Sequence, residues 1–195
     1  MSVRVIAPPS GQLVSLSDLK AHLRITWTDE DAYVTALGAA AMTAVENWTQ
    51  RRYLAQTLEQ VRTDWAQSML LPVAPGGGSP AGSIVSVKYT ASDGSTQTLD
   101  PTVYYWDRPM GETRAVVKRW FVLWPILGDG AERVVIRFAV TGDITTVPAG
   151  VQHAVKLLVS HWYANREAVV GVENRDSSTP LPLGLDTLLM PERWG

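Results

Sequence analysis

The sequence predicts an α+β fold: two N-terminal helices plus a C-terminal helix form a helical bundle, with a β-rich insertion between them. Three observations carry this. Apolar residues recur at helical spacing from Leu16 to Trp48 and again from Val151 to Trp162. Between them, from Gln56 to Thr141, short runs of β-formers alternate with turn residues. Finally, the loops are short, and no internal repeat divides the chain. The expected organisation is a single domain, 1–195. Its helical unit is 14–54 and 146–168, its β-rich insertion 55–145, and its extended C-terminal tail 169–195.

The first helix starts at Ser15, an N-cap with Asp18 three residues on, while Val14 and Leu19 occupy the staple positions. Leu16, Leu19 and Leu23 carry the spacing to about Ile25. A second start lies at Thr28, where Asp29, Glu30 and Asp31 meet the positive end of the helix dipole. Tyr33, Leu37, Ala40, Ala41, Ala44 and Trp48 form its apolar stripe, and Arg51 and Arg52 complete its negative end. Gly38 to Ala41 and Ala44 make a small face that allows another helix to approach closely.

Strands are expected at 56–64, 68–71, 84–90, 97–99, 103–105, 115–121 and 133–140, with a hairpin turn at Ser92-Asp93-Gly94-Ser95. Gly/Pro-rich loops fall at Pro75–Pro80 and Gly128–Gly130. Pro148 opens the last helix, in which Val151, Ala154, Val155, Leu158, Val159 and Trp162 align to about Glu167. A polar stretch follows, then the apolar segment from Leu181 to Pro191, too short for a core of its own and obliged to dock on its own body or on a neighbour.

Composition narrows the function. Charged residues are 18% of the chain, against roughly 25% in a typical soluble domain. Eight tryptophans imply that some are covered by partner chains. Seventeen Lys+Arg against nineteen Asp+Glu, a net charge of −2, disfavours a sequence-independent DNA-binding surface. The absence of cysteine excludes disulfides, thiolate metal sites and Cys nucleophiles. The N-terminus lacks the apolar run of a signal peptide, and no stretch reaches the ~20 apolar residues of a membrane span. These features predict a soluble protein made in a reducing compartment, with no membrane association.

No catalytic signature is present. His153 and His161 are too far apart to share an ion, and neither HExxH nor His-x-His occurs with His22. Asp29 to Asp31 reads as a helix start and lacks the spaced ligands of a calcium loop. The glycines at 76–78 precede no Lys-Ser/Thr pair, and Ser160-His161 side chains diverge on a helix without a Gly-x-Ser-x-Gly elbow. The sequence thus implies no enzyme, no cofactor and no metal. An alternative class is a β-rich carbohydrate- or peptide-binding module presenting Trp106, Trp120 and Trp124.

The ordered set of motifs resembles a known family. Leu16-Ser17-Asp18-Leu19-Lys20-Ala21-His22-Leu23-Arg24-Ile25 is similar to the opening of the head–tail connector (adaptor) proteins of long-tailed bacteriophages and gene transfer agents. Asp29–Asp31, Glu46, Arg52-Tyr53-Leu54, Gln56-Thr57, Leu71-Pro72, Ile84–Tyr89, Asp93-Gly94, Trp124-Pro125 and Val147-Pro148 continue the likeness. It closes with 161–167 and the Leu188 to Arg193 step. Gly76–Gly78 and Val140–Asp143 depart from the family pattern.

The resemblance implies a structural protein of the virion or gene-transfer-agent particle, assembled in the bacterial cytoplasm and placed at the head–tail junction. It implies a homo-oligomeric ring, about twelve copies closed by symmetry, beneath the capsid portal protein. Such a ring extends the DNA channel, lets DNA pass without specific binding, and receives the stopper or next tail connector. On that basis Leu185, Leu188, Leu189, Arg193 and Trp194 are the expected portal-interface residues. Tyr33, Leu37, Trp48 and Trp162 are the expected subunit-interface residues.

Overall fold

The computed structural model describes residues 2–71, 74–75, 83–107, 116–120, 123–166 and 184–193. The fold mixes helices with two antiparallel sheets and one further two-stranded pairing, as an α+β protein does. It comprises β1 (Ser2–Ala7), α1 (Leu16–Leu23), α2 (Asp31–Thr49), β2 (Arg51–Arg52), β3 (Gln56–Arg62), β4 (Ser68–Leu70) and β5 (Ala74–Pro75). There follow β6 (Ser83–Thr90), β7 (Thr96–Thr98), β8 (Tyr104–Asp107), β9 (Val116–Arg119), β10 (Val134–Val140), α3 (Ala149–Ala164) and α4 (Leu185–Leu189). The chain divides into two compact units, Met1–Ser10 with Arg52–Asp143, and Gly11–Arg51 with Ile144–Gly195.

The β-rich unit holds a five-stranded sheet in the order β1-β3-β10-β6-β7 and a three-stranded sheet in the order β4-β9-β8. β10 alternates strictly: Val134, Ile136, Phe138 and Val140 are buried, while Val135 and Arg137 are partly covered. Its inner face joins Leu58 and Val87 from the same sheet and Met69, Tyr104 and Val117 from the other in one apolar core. Gln60 belongs to this interior, and its amide donates to the Leu70 carbonyl at 3.1 Å, tying β3 to β4. On the outer face Arg137 and Glu59 pair at 2.9 Å across adjacent strands.

The hairpin at 92–95 joins β6 to β7. The Asp93 carboxylate accepts from the Ser95 amide and hydroxyl, and Gly94 takes a φ of +81° that a β-carbon would strain. Strand β1 is absent from the sequence-based expectation. It pairs antiparallel with β3 as an edge strand, every residue exposed, so it lacks the buried alternation that marks a strand in sequence. The β-rich unit is therefore built from two separate stretches of chain. Residues 101–103 form a 3₁₀ turn, and the strand expected at 103–105 runs from Tyr104 to Asp107. The Pro75–Pro80 loop beyond Pro75, and the ends of the 115–121 strand at Ala115 and Phe121, lie outside the described residues.

In the helical unit Ser15 caps α1: its hydroxyl oxygen accepts from the Asp18 amide at 3.1 Å. The staple residues Val14 and Leu19 are both buried. Helix α1 ends earlier than Ile25. Arg24 adopts the left-handed conformation, φ 59°, its amide bonds Ala21 and that of Ile25 bonds Lys20, and Ile25 is buried. This is a Schellman closure without its usual glycine.

Helix α2 also stops short of the expected Arg51 and Arg52. Gln50 turns left-handed at φ 57°, and the two arginines form β2, which pairs with β5. The buried face of α2 is Val34, Gly38, Ala41, Met42, Val45, Glu46 and Thr49, rotated by about one residue from the predicted stripe. At Gly38 a β-carbon would stand 2.4 Å from the Gln12 amide oxygen and 2.9 Å from a Leu19 methyl, so a larger residue would have to push these two side chains aside. Helix α3 starts just after Pro148 and buries Val151, Ala154, Val155, Leu158 and Val159. The sequence 181–183 lies outside the described residues; beyond it α4 packs against α3.

Candidate interaction surfaces

Among the described residues no group of three or more His, Asp or Glu is placed to hold a metal ion, and no helix is long and apolar enough to cross a membrane. His22 and His153 meet edge to face with ring centroids 6.2 Å apart. Desolvation, then the charges of His153 and Lys156, lowers the pKa of His22. Two exposed imidazoles beside an ammonium make a poor cation site. The acidic triplet is dispersed: Asp31 pairs with Lys20 at 2.5 Å, and Glu30 turns to α3.

Glu30 organises the end of α3. Its carboxylate accepts from the Tyr163 hydroxyl, the Arg166 guanidinium and, at 3.4 Å, the Trp27 indole. The Tyr163 bond chiefly, then that of Arg166, holds the Glu30 pKa below the usual carboxylate value. Arg166 sits 4.8 Å from the ring centroids of both Tyr33 and Tyr163. By sequence alone Glu30 and Arg166 read only as residues near helix ends. The available signal is Tyr163-x-x-Arg166, one helical turn apart.

The expected subunit-interface residues Tyr33, Leu37, Trp48 and Trp162 are each half-buried. Tyr33 packs at 6.1 Å on Tyr163, and Trp48 lies beneath the Arg193 guanidinium at 5.0 Å. The first three lie beside the buried face of α2, so they border its packing and retain accessible surface.

The expected portal-interface residues divide by burial. Leu185 and Leu189 are 1% and 2% exposed, and as folded they anchor α4 in the helical unit. Leu188 is half-buried, and Arg193 is exposed. Arg51 pairs with Glu192 at 3.5 Å, and Met190 is 69% exposed beside them. Trp194 lies outside the described residues.

Of the three tryptophans weighed for carbohydrate recognition, only Trp120 faces outward. Trp124 stacks on Trp65 at 4.6 Å and 7°, its indole donating to the Ala66 carbonyl at 3.0 Å, and Trp106 packs against the core. Trp120 instead lies 4.5 Å from Tyr105 at the wall of a cavity of about 540 Å³. Ser68, Lys118, Arg119 and Leu123 complete the lining that matters here. Tyr105 and Lys118 escaped the sequence analysis, because their convergence depends on strand register.

A family model described as head completion protein matches residues 12–172. Three solved structures share the fold over 99% of this chain and 95% of theirs, each at 19% identity. They are the neck of an empty gene transfer agent particle computed with C6 symmetry, at TM-score 0.74, the virion of a native gene transfer agent particle, at 0.72, and the neck of a native particle computed with C12 symmetry, at 0.71. No curated protein matches the sequence.

Proposed function

The chain belongs to the head completion protein family, and we propose from this that it is a non-catalytic component of the neck of a phage-like particle, at the head–tail junction. The observation that carries the reading is the family match across residues 12–172. In finer detail the protein forms a closed ring of about twelve copies beneath the portal. The ring extends the DNA channel and presents a docking surface to the stopper or next tail connector. The net charge of −2 suits a channel that passes DNA without gripping it.

The helical bundle, interrupted by the β-rich insertion, supplies the ring's packing surfaces. Tyr33, Leu37, Trp48 and Trp162 are the proposed subunit contacts, supported by their half-covered positions. The C-terminal segment is the proposed portal contact. Leu188 and Arg193 offer accessible surface as folded, whereas Leu185 and Leu189 reach a portal only when α4 leaves α3. Trp194 continues that segment.

The test is particle mass and negative-stain imaging of the protein mixed with its cognate portal. A ring added to the portal is expected, and chain truncated after residue 178 should keep its fold but lose the portal. A well-folded full-length protein that never associates with portal would overturn the reading. Normal attachment by the truncated chain would overturn the assignment of the tail.

A further inference from the structure

The β-rich unit carries a cavity on the face of its three-stranded sheet turned away from the core. Register places Ser68, Lys118 and Tyr105 side by side across β4, β9 and β8. Their neighbours Met69 and Val117 are fully buried on the opposite face, so strand alternation turns this row outward. Trp120 leans on Tyr105 with ring centroids 4.5 Å apart, yet remains 48% exposed. Leu123 at the rim is 81% exposed. Among the described residues the lining combines an aromatic floor with two cationic side chains, Lys118 and Arg119, and holds no carboxylate. An occupant that suits it carries an aromatic or aliphatic group next to a negative charge.

The same chain displays such a group. Between α1 and α2, Thr26, Trp27, Thr28 and Asp29 are all exposed, with Trp27 at 50%. Of the three carboxylates there, Glu30 is taken by Tyr163 and Arg166, and Asp31 by Lys20. Asp29 forms no ion pair among the described residues. An exposed indole thus stands two residues from an available carboxylate.

We propose that the cavity receives the Trp27–Asp29 loop of a second copy of the chain. Trp27 stacks on the Tyr105–Trp120 floor, and Asp29 meets Lys118. The inference rests on the ring reading above and deepens it. A closed ring needs a heterologous contact, in which two different patches on every copy match each other, and the cavity and the loop are one such pair. The exposed aliphatic Leu123 and the net charge of −2 favour a protein occupant over a nucleic acid.

Because the chain has no cysteine, single cysteines report the contact cleanly. Thr28→Cys and Leu123→Cys protein would be mixed with cognate portal and treated with a short bis-maleimide. Every cross-linked dimer containing both variants then joins two copies. The expected result is that heterodimer, lost with Lys118→Glu in the cavity partner and regained when Asp29→Lys is placed in the loop partner. Trp27→Ala should weaken the association on the order of thirtyfold, the factor expected of a buried aromatic anchor.

Rings that form without this cross-link, or a cross-link indifferent to the charge reversals, would overturn the inference while leaving the ring reading intact. Wild-type protein that does not join the portal, together with cysteine variants that do not cross-link, would overturn both, and a cross-link without portal rings would uphold the contact alone. Suppression of cross-linking by a short oligothymidylate added beforehand, binding through Lys118, would make the cavity a nucleic-acid site and sink the inference.

Discussion

Replacing Leu189 by Ala tests what holds the C-terminal segment. Helix α4 has five residues, against the ~12–15 at which an isolated helix becomes even marginal in water. Its N-cap is Gly184 in a left-handed conformation, without a side-chain hydrogen bond. Local structure therefore cannot sustain it, and tertiary burial must. Leu185 and Leu189 supply that burial, at 1% and 2% exposure, each contributing about 1.5–3 kcal/mol.

The fit is close on the α3 side. A β-carbon at Gly150 would lie 3.3 Å from the Leu188 carbonyl oxygen. The ion pair of Arg51 with Glu192 and the placement of Arg193 over Trp48 add little by comparison, since both are partly solvated.

Leu189→Ala removes three carbons from a filled site and should cost about 2–5 kcal/mol. The segment opens locally before the rest of the helical unit. Native-state hydrogen exchange should show the Leu188 and Arg193 amides, bonded to Gly184 and Leu189, accelerating by about thirtyfold or more. Amides in the middle of α2 and α3 should change far less. A second substitution, Leu185→Ala, should then add little to the global loss, because a detached segment has no further stability to give up. Unchanged protection across 185–193 in Leu189→Ala would refute the argument that leucine burial holds the segment.

Three further outcomes are expected. The Glu30 carboxyl is held below its ordinary pKa, first by Tyr163 and then by Arg166, so its stabilising share is present above the ordinary value and lost as pH falls through the lowered one. Subtracting the melting-temperature profile of Glu30→Gln from that of wild type should isolate this acid-side loss, and a flat difference would contradict it. Gly142→Ala should destabilise by about 2–3 kcal/mol in a denaturant titration, since its β-carbon would lie 2.1 Å from the backbone oxygen of Tyr53, which cannot swing aside. Arg24→Gly should raise the melting temperature by the equivalent of about 0.5–1 kcal/mol: it relieves a left-handed non-glycine residue at φ 59°, offset in part by the entropy of glycine. A lower melting temperature would mean that the arginine side chain matters more than its backbone strain.

Much was legible in the sequence wherever the determinant is local. The Ser15 cap with its Val14–Leu19 staple, the hairpin at Gly94 and the start of α3 after Pro148 follow from residues within a few positions of one another. The alternation of β10 also announced itself, because that strand lies between β3 and β6 with one face wholly in the core. The ordered motifs also pointed to the connector family, since that order runs along nearly the whole chain, from about residue 13 to 193.

Tertiary structure decided the rest. Helix α2 is apolar on more than one face, so spacing gave its period but not its phase; packing on α1 and α3 chose Val34, Gly38 and Val45 and left Tyr33, Leu37 and Trp48 at the margin. Strand β1 exists because β3 offers it a hydrogen-bonding edge, and its own exposed residues carry no buried period. Which tryptophans face outward was equally unreadable. Trp124 finds Trp65 fifty-nine positions away, whereas the Trp120 ring meets Tyr105 and stays half exposed. Capping, turns and strand alternation are encoded over a few residues, but burial depends on what the remaining chain brings to each face, and only the folded arrangement specifies that.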